Sequence, residues 1–209
     1  MNTSEKEGLK EQLRAMVTGR GDGIDLNSEN RWRVEGLKNL IEFFQRLNLV
    51  IPQDSILYFE GCDVVKEVQD FYQKNRATNA VSVVRDEIFP IPETFHVTLT
   101  PEFIHGFIDL LTRHATSECF FHVKAYRNET LLFTFHEAFE GSDCLFSDLI
   151  PEDSIKTFVS SLGGKYRLEP NVNKRDPEQL RKFLWALENP QKLWINRPWW
   201  KKALFFWRR

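Results

Sequence analysis

The sequence predicts an α+β fold: a mainly antiparallel sheet with a central hairpin at about 118–139, flanked by amphipathic helices. Three observations predict it. FFHVKAY and LLFTFHEAF flank the turn Arg127-Asn128-Glu129-Thr130, and both arms are rich in aromatic and β-branched residues, as hairpin strands are. Apolar residues recur at helical spacing in several other stretches. Helices and strands interleave, yet the clearest strand pair is antiparallel, which favours α+β over a doubly wound parallel sheet.

At the N-terminus Leu9, Leu13, Met16 and Val17 are spaced as a helix, with Gly19 as its stop. Residues 18–30, TGRGDGIDLNSEN, hold three Gly and no periodicity, so residues 1–30 read as a helical arm and flexible linker. A helix is expected at about 31–48 on Leu37, Leu40, Ile41, Phe44 and Leu47, ended before Pro52. SILYFE (55–60) suits a buried strand, and Val64, Val65, Val68, Phe71 and Tyr72 mark another helix. Strand signals follow at 80–84 and 95–99. Thr100-Pro101 then opens a helix running to about 114 on Phe103, Phe107, Leu110 and Leu111, since Pro at the first helical position gives up no needed N–H.

In the hairpin, closing a four-residue loop between Tyr126 and Leu131 opposes Lys124 to Phe133 and His122 to Phe135. One face then carries His122, Lys124, Tyr126, Phe133, Phe135 and Glu137; the other carries Val123, Ala125, Leu132, Thr134 and His136. Both are largely apolar, so the hairpin is expected to be central and covered on both sides. Beyond a loop at 140–150, Ile155, Phe158, Val159 and Leu162 form a helix stopped by Gly163-Gly164. Asp176-Pro177-Glu178-Gln179 caps a last helix on Leu180, Phe183, Leu184 and Leu187, closing a core domain at 31–189.

Residues 190–209 form an aromatic–basic C-terminal tail. The stretch KLWINRPWWKKALFFWRR (192–209) holds six basic residues, no acidic one, and four of the six Trp of the chain. Its expected partner-binding residues are Trp194, Arg197, Trp199, Trp200, Lys201, Lys202, Trp207 and Arg208, because Trp and Arg are the preferred anchors of protein interfaces. The near-neutral net charge of −2 conceals an asymmetry: residues 1–150 carry 15 Lys/Arg against 24 Asp/Glu, net −9, and residues 151–209 carry 13 against 6, net +7. Three roles suit such a tail: folding back onto its own acidic domain, docking on another protein or a second copy, or lying at an anionic membrane surface. The acidic body disfavours nucleic acid.

Motifs for chemistry are few. Cys119-Phe120-Phe121-His122 has C-x-x-H spacing, but an odd separation on a strand divides the two side chains between faces, and no second pair is near. His136-Glu137 lacks the second His of a zinc-protease helix, and Asp25, Asn27 and Glu29 lack the Gly and terminal Glu of a calcium loop. No Gly-rich phosphate loop opens a helix. No metal and no cofactor is therefore expected. The one arrangement with acid–base potential is His122 and Glu137, diagonal neighbours where a carboxylate could orient an imidazole. His105 and Asp109 are expected to touch as an i, i+4 pair.

Three widely spaced Cys, a charged N-terminus and no long apolar run fit a cytoplasmic protein. In this general character, acidic over most of its length and without catalytic motifs, the chain resembles small bacterial toxin-neutralising proteins of α+β type; no specific motif carries the resemblance. It implies a non-enzymatic binding or regulatory role exerted through protein contact. The alternatives are a small-molecule enzyme using His122/Glu137 and a peripheral membrane protein held by its tail.

Overall fold

The computed structural model describes residues 26, 28–81, 83, 91–138 and 144–171, all within the unit Gly21–Asn171. The expected helix at 9–17, the helix at 180–187 and the tail at 190–209 lie outside the described residues.

Among the described residues the chain order is β1 (Asn30–Glu35), α1 (Leu40–Arg46) with a 3-10 turn at Leu47–Leu49, β2 (Ile56–Gly61), α2 (Lys66–Lys74), β3 (Glu93–Thr98), α3 (Pro101–Arg113), α4 (Thr116–Cys119), β4 (His122–Arg127), β5 (Thr130–Phe135), β6 (Cys144–Ser147), α5 (Glu152–Ser161) and β7 (Lys165–Pro170). The strands form one seven-stranded sheet in the order β3-β2-β4-β5-β6-β1-β7, with every neighbouring pair antiparallel. The α+β class with its central hairpin is thus the observed fold.

Local chemistry accounts for several boundaries. Thr100 Oγ1 accepts from the Phe103 N–H at 3.1 Å with Pro101 first in α3, and Asn39 Oδ1 accepts from the Glu42 N–H at 3.2 Å to open α1. Gly163, at φ +67°, ends α5 in the left-handed region where a side chain would be strained. The outer edge of β3 is partly covered by its own chain, since the Ala77 N–H donates to the His96 carbonyl at 2.9 Å.

One face of the sheet carries all the described helices and the main core. Phe43 and Phe44 from α1, Phe103 and Phe107 from α3, and Phe158 from α5 meet Phe59, Phe133 and Phe146 from the strands, all fully buried. Their rings pack edge-on or tilted, as between Phe44 and Phe107, 4.9 Å apart at 89°. Gly106 of α3 allows a close approach to α2, because a Cβ there would lie 2.6 Å from Phe71 Cε2.

Three expectations need correction. Residues 31–36 are not helical: Asn30–Glu35 is β1, in which Trp32 and Val34 enter the core while Arg31 and Arg33 point to the other face. The alternation R-W-R-V has the period of a strand, and the helical stripe begins only at Leu40. Two strands stand where a loop or no element was expected. β6 has only four residues, CLFS, and β7 is a charged edge strand with little apolar content. Of the expected strand at 80–84, residues 80, 81 and 83 are described and are not in strand.

The hairpin register also differs. Tyr126 does pair with Leu131, but the turn is tighter: Arg127 pairs with Thr130 across Asn128 and Glu129, both at positive φ as in a two-residue primed turn. The register then slips by one at Ala125/Tyr126, leaving Leu132 as an extra residue in β5. Lys124 consequently faces Thr134, and Phe133 and Phe135 move to the helix-covered face. A one-residue slip exchanges the faces of everything beyond it.

Candidate functional site

The face opposite the helices brings together the ionisable side chains of the central strands. Register places His96, Tyr58, Lys124 and Thr134 in one row across β3, β2, β4 and β5. The next row holds Thr94, Glu60 and His122. Glu60, His122, Lys124 and Thr134 are all 0% exposed, and Tyr58 is 2% exposed. Leu26, Val81, Tyr126, Leu131 and Leu145 form a small apolar cluster with Tyr58 on this side.

Burying such groups is unfavourable unless they are matched by partners. The Tyr58 hydroxyl donates to Glu60 Oε1 at 2.8 Å, and Lys124 Nζ sits 5.8 Å from the centre of the Tyr58 ring. The His96 ring packs against Tyr58 at 5.0 Å, with its Nε2 3.0 Å from the Val81 carbonyl. Burial holds the His96 imidazole below its ordinary pKa, against the opposing effect of that carbonyl.

The expected pair His122 and Glu137 is brought together, but not through its carboxylate. The Glu137 backbone N–H donates to His122 Nδ1 at 3.0 Å, which leaves the proton of a neutral ring on Nε2. Glu137 adopts φ +46°, and its carboxylate lies 3.7 Å from His136 Nε2 instead. His136 stacks on His122 with ring centres 4.0 Å apart, a neighbour that the slipped register supplies. His122 is fully buried, whereas the Glu137 side chain is 37% exposed. The arrangement has the parts of an acid–base relay, yet its imidazole is enclosed.

A second charged group lies toward the β7 edge. Glu169 Oε1 accepts from Arg31 Nε at 2.8 Å and from Arg33 Nε at 3.0 Å, while Oε2 accepts from Arg167 Nε at 3.3 Å. Burial raises the Glu169 carboxyl, but the arginine hydrogen bonds outweigh it and hold the group below its ordinary pKa.

The other residues that the sequence singles out take structural places. Cys119 ends α4 rather than lying on a strand; burial first, and then Glu118, push its thiol up to about 12, so it is a poor source of thiolate for a metal. Among the described residues no group of three or more His, Cys, Asp or Glu is placed to hold a metal ion. Asp109 pairs with Arg113 at 3.0 Å rather than with His105, and His114 Nε2 is 2.9 Å from Glu67 Oε2. Trp194, Arg197, Trp199, Trp200, Lys201, Lys202, Trp207 and Arg208 lie outside the described residues.

Sequence reasoning missed Tyr58, Glu60, His96 and Thr134. The signal existed in β2, where Leu57 and Phe59 alternate with Tyr58 and Glu60, but the run SILYFE reads as uniformly apolar until the faces are separated. No family model, no curated protein and no solved structure matches the chain.

Proposed function

We propose that the chain is a non-enzymatic binding or regulatory protein that acts by contact with another protein, through the aromatic–basic residues at its C-terminal end. The observation that carries this reading is the enclosure of the chemically capable side chains. Glu60, His122 and Lys124 are all 0% exposed. An enzyme built on His122 and Glu137 needs an imidazole that a substrate can reach. The sequence supplies the complementary feature, a segment in which Trp194, Trp199, Trp200 and Trp207 alternate with cations and no acid intervenes. Trp and Arg contribute large contact areas at little conformational cost, which makes them the usual energetic centres of interfaces.

The test compares the full chain with its Trp199→Ala/Trp200→Ala variant as bait in extract from its own cells, with recovered proteins quantified by mass spectrometry. A specific partner should be recovered by the parent chain and fall by about tenfold or more in the variant, as for removal of interface hot spots. Equal recovery by both, with unchanged sedimentation, would refute the contact role. Retention of both chains on anionic vesicles, lost only when residues 190–209 are removed, would favour a membrane surface instead.

A further inference from the structure

β7 closes one side of the sheet, and no strand lies beyond it among the described residues. Its pairing with β1 fixes which of its backbone groups face outward. The Asn171 N–H donates to the Glu29 carbonyl at 2.9 Å, and the register runs unbroken from Asn30 with Pro170 to Glu35 with Lys165. Hydrogen-bonded pairs alternate in an antiparallel ladder, so Lys165, Arg167 and Glu169 turn their N–H and C=O to β1. Tyr166 and Leu168 turn theirs to the outer edge. Pro170, which has no N–H, belongs to the same outward set, where a strand tolerates it.

The two flanks of this edge differ. On the apolar flank Leu168 stands opposite Trp32 and is 50% exposed, and the Tyr166 ring lies 5.9 Å from that of Trp32. On the charged flank, β1 and β7 carry four cations, Arg31, Arg33, Lys165 and Arg167, against two carboxylates, Glu35 and Glu169. Glu29, just before β1, still leaves the cations in excess. The surplus is visible in single groups: Lys165 is exposed and makes no ion pair among the described residues, and the buried Nη1 of Arg31 has no acceptor. Charges on a sheet edge guard it against chance pairing, but a guard of one sign discriminates. A second copy would set the same excess of cations against itself, and like charges directly opposite are destabilising. We propose that the β7 edge receives an extended acidic segment of another protein as an added antiparallel strand. Its carboxylates would stand opposite Lys165 and Arg167, and its apolar side chains opposite Tyr166 and Leu168. The site is separate from the C-terminal contact proposed above and stands if that contact fails.

The probe is acetyl-Thr-Val-Glu-Val-Glu-amide, titrated into the isotopically labelled full chain and followed by NMR. The expected result is saturable binding near about 1 mM, the scale of a short strand addition, with shifts in the backbone amides of Tyr166 and Leu168. The same peptide with Lys for both Glu should bind at least about tenfold more weakly. So should the Glu peptide N-methylated at both Val, which keeps its charge but loses the two donors that meet the outward carbonyls, by about tenfold. Leu168→Pro removes an outward N–H at a position where an edge strand accepts Pro, and should abolish binding. If that variant loses its native spectrum, Lys165→Glu at the exposed position serves instead and should weaken binding by about threefold or more. The proposal is overturned by the absence of saturable shifts at Tyr166 and Leu168, by equal binding of either control peptide, or by binding that survives the edge variant. Shifts of these two amides with chain concentration alone would assign the edge to a second copy and also overturn it. The Trp199→Ala/Trp200→Ala chain should bind the probe as the parent does. Loss there would place the peptide on the basic C-terminal residues and overturn the edge assignment.

Discussion

Phe59 and Glu60 are neighbours in β2, both fully buried, and they enter opposite environments. Phe59 packs among the rings of Phe44, Tyr72, Phe103, Phe107 and Phe120, with centres 4.9–6.4 Å away. Glu60, on the other face, takes a hydrogen bond from Tyr58 in a layer that also holds Lys124 and His122. The helix-covered face is held by dispersion and removal of apolar surface from water, which tolerate small errors of angle. The opposite face depends on directional partners, and there a missing atom leaves a buried charge or dipole uncompensated. The two faces should therefore fail in different ways.

The largest expected effect is on the apolar side. Phe59→Ala removes the ring at the centre of this cluster and should destabilise the protein by about 3–5 kcal/mol, the usual cost of emptying a buried Phe site. Urea unfolding followed by Trp fluorescence measures it. A loss under about 1 kcal/mol would mean that the neighbouring rings collapse into the space, and that the packing is less specific than the ring geometry implies.

A matched pair of single-atom deletions sharpens the contrast. Tyr58→Phe removes the hydroxyl that donates to Glu60 and should cost about 1–3 kcal/mol, since a buried carboxylate loses a donor. Tyr72→Phe removes a hydroxyl that donates at 3.2 Å to the Cys119 carbonyl, a neutral acceptor, and should cost only about 0.5–1.5 kcal/mol. The same oxygen is deleted from two fully enclosed tyrosines, so the difference reads the chemistry of the face rather than burial. Equal losses, compared at one urea concentration, would remove the distinction between the faces.

How much of this was legible depended on whether the pattern lay within one element or between elements. The α3 start at Thr100-Pro101, the helix end at Gly163 and the hairpin itself are local signals, and the structure has them where the sequence puts them. The bulge at Leu132 is not local. It places Phe133 and Phe135 in the core and Thr134 beside Lys124, a choice settled by which aromatic side chains the helices can cover. Most of the polar face escaped for the same reason: Tyr58, Glu60 and His96 lie on β2 and β3, which join β4 and its His122 only once the sheet order is known. β7 was invisible because Lys165, Arg167 and Glu169 read as a solvated stretch until Arg31 and Arg33 stand beside it.

That edge supplies the smallest and most condition-dependent effect. Glu169 is held below its ordinary pKa by Arg31 and Arg33, whose hydrogen bonds outweigh the opposing effect of burial. A carboxyl with a depressed folded-state pKa contributes stability that is fully present above its unfolded pKa and lost as pH falls through the folded value. Glu169→Gln should therefore cost about 1.5 kcal/mol at neutral pH, the scale of a charge-assisted hydrogen bond. The gap between parent and variant should narrow as pH falls below the ordinary carboxylate range and through the lower folded value, where the folded parent protonates as well. Glu67 is the control, because it is also depressed, by Arg113 and then His114, but at an exposed site where solvent screens the charges. Glu67→Gln should show the same sign with a smaller gap at every pH. A gap for Glu169→Gln that stays constant from neutral pH to the acid limit would show that the arginines need the shape of this side chain and not its charge.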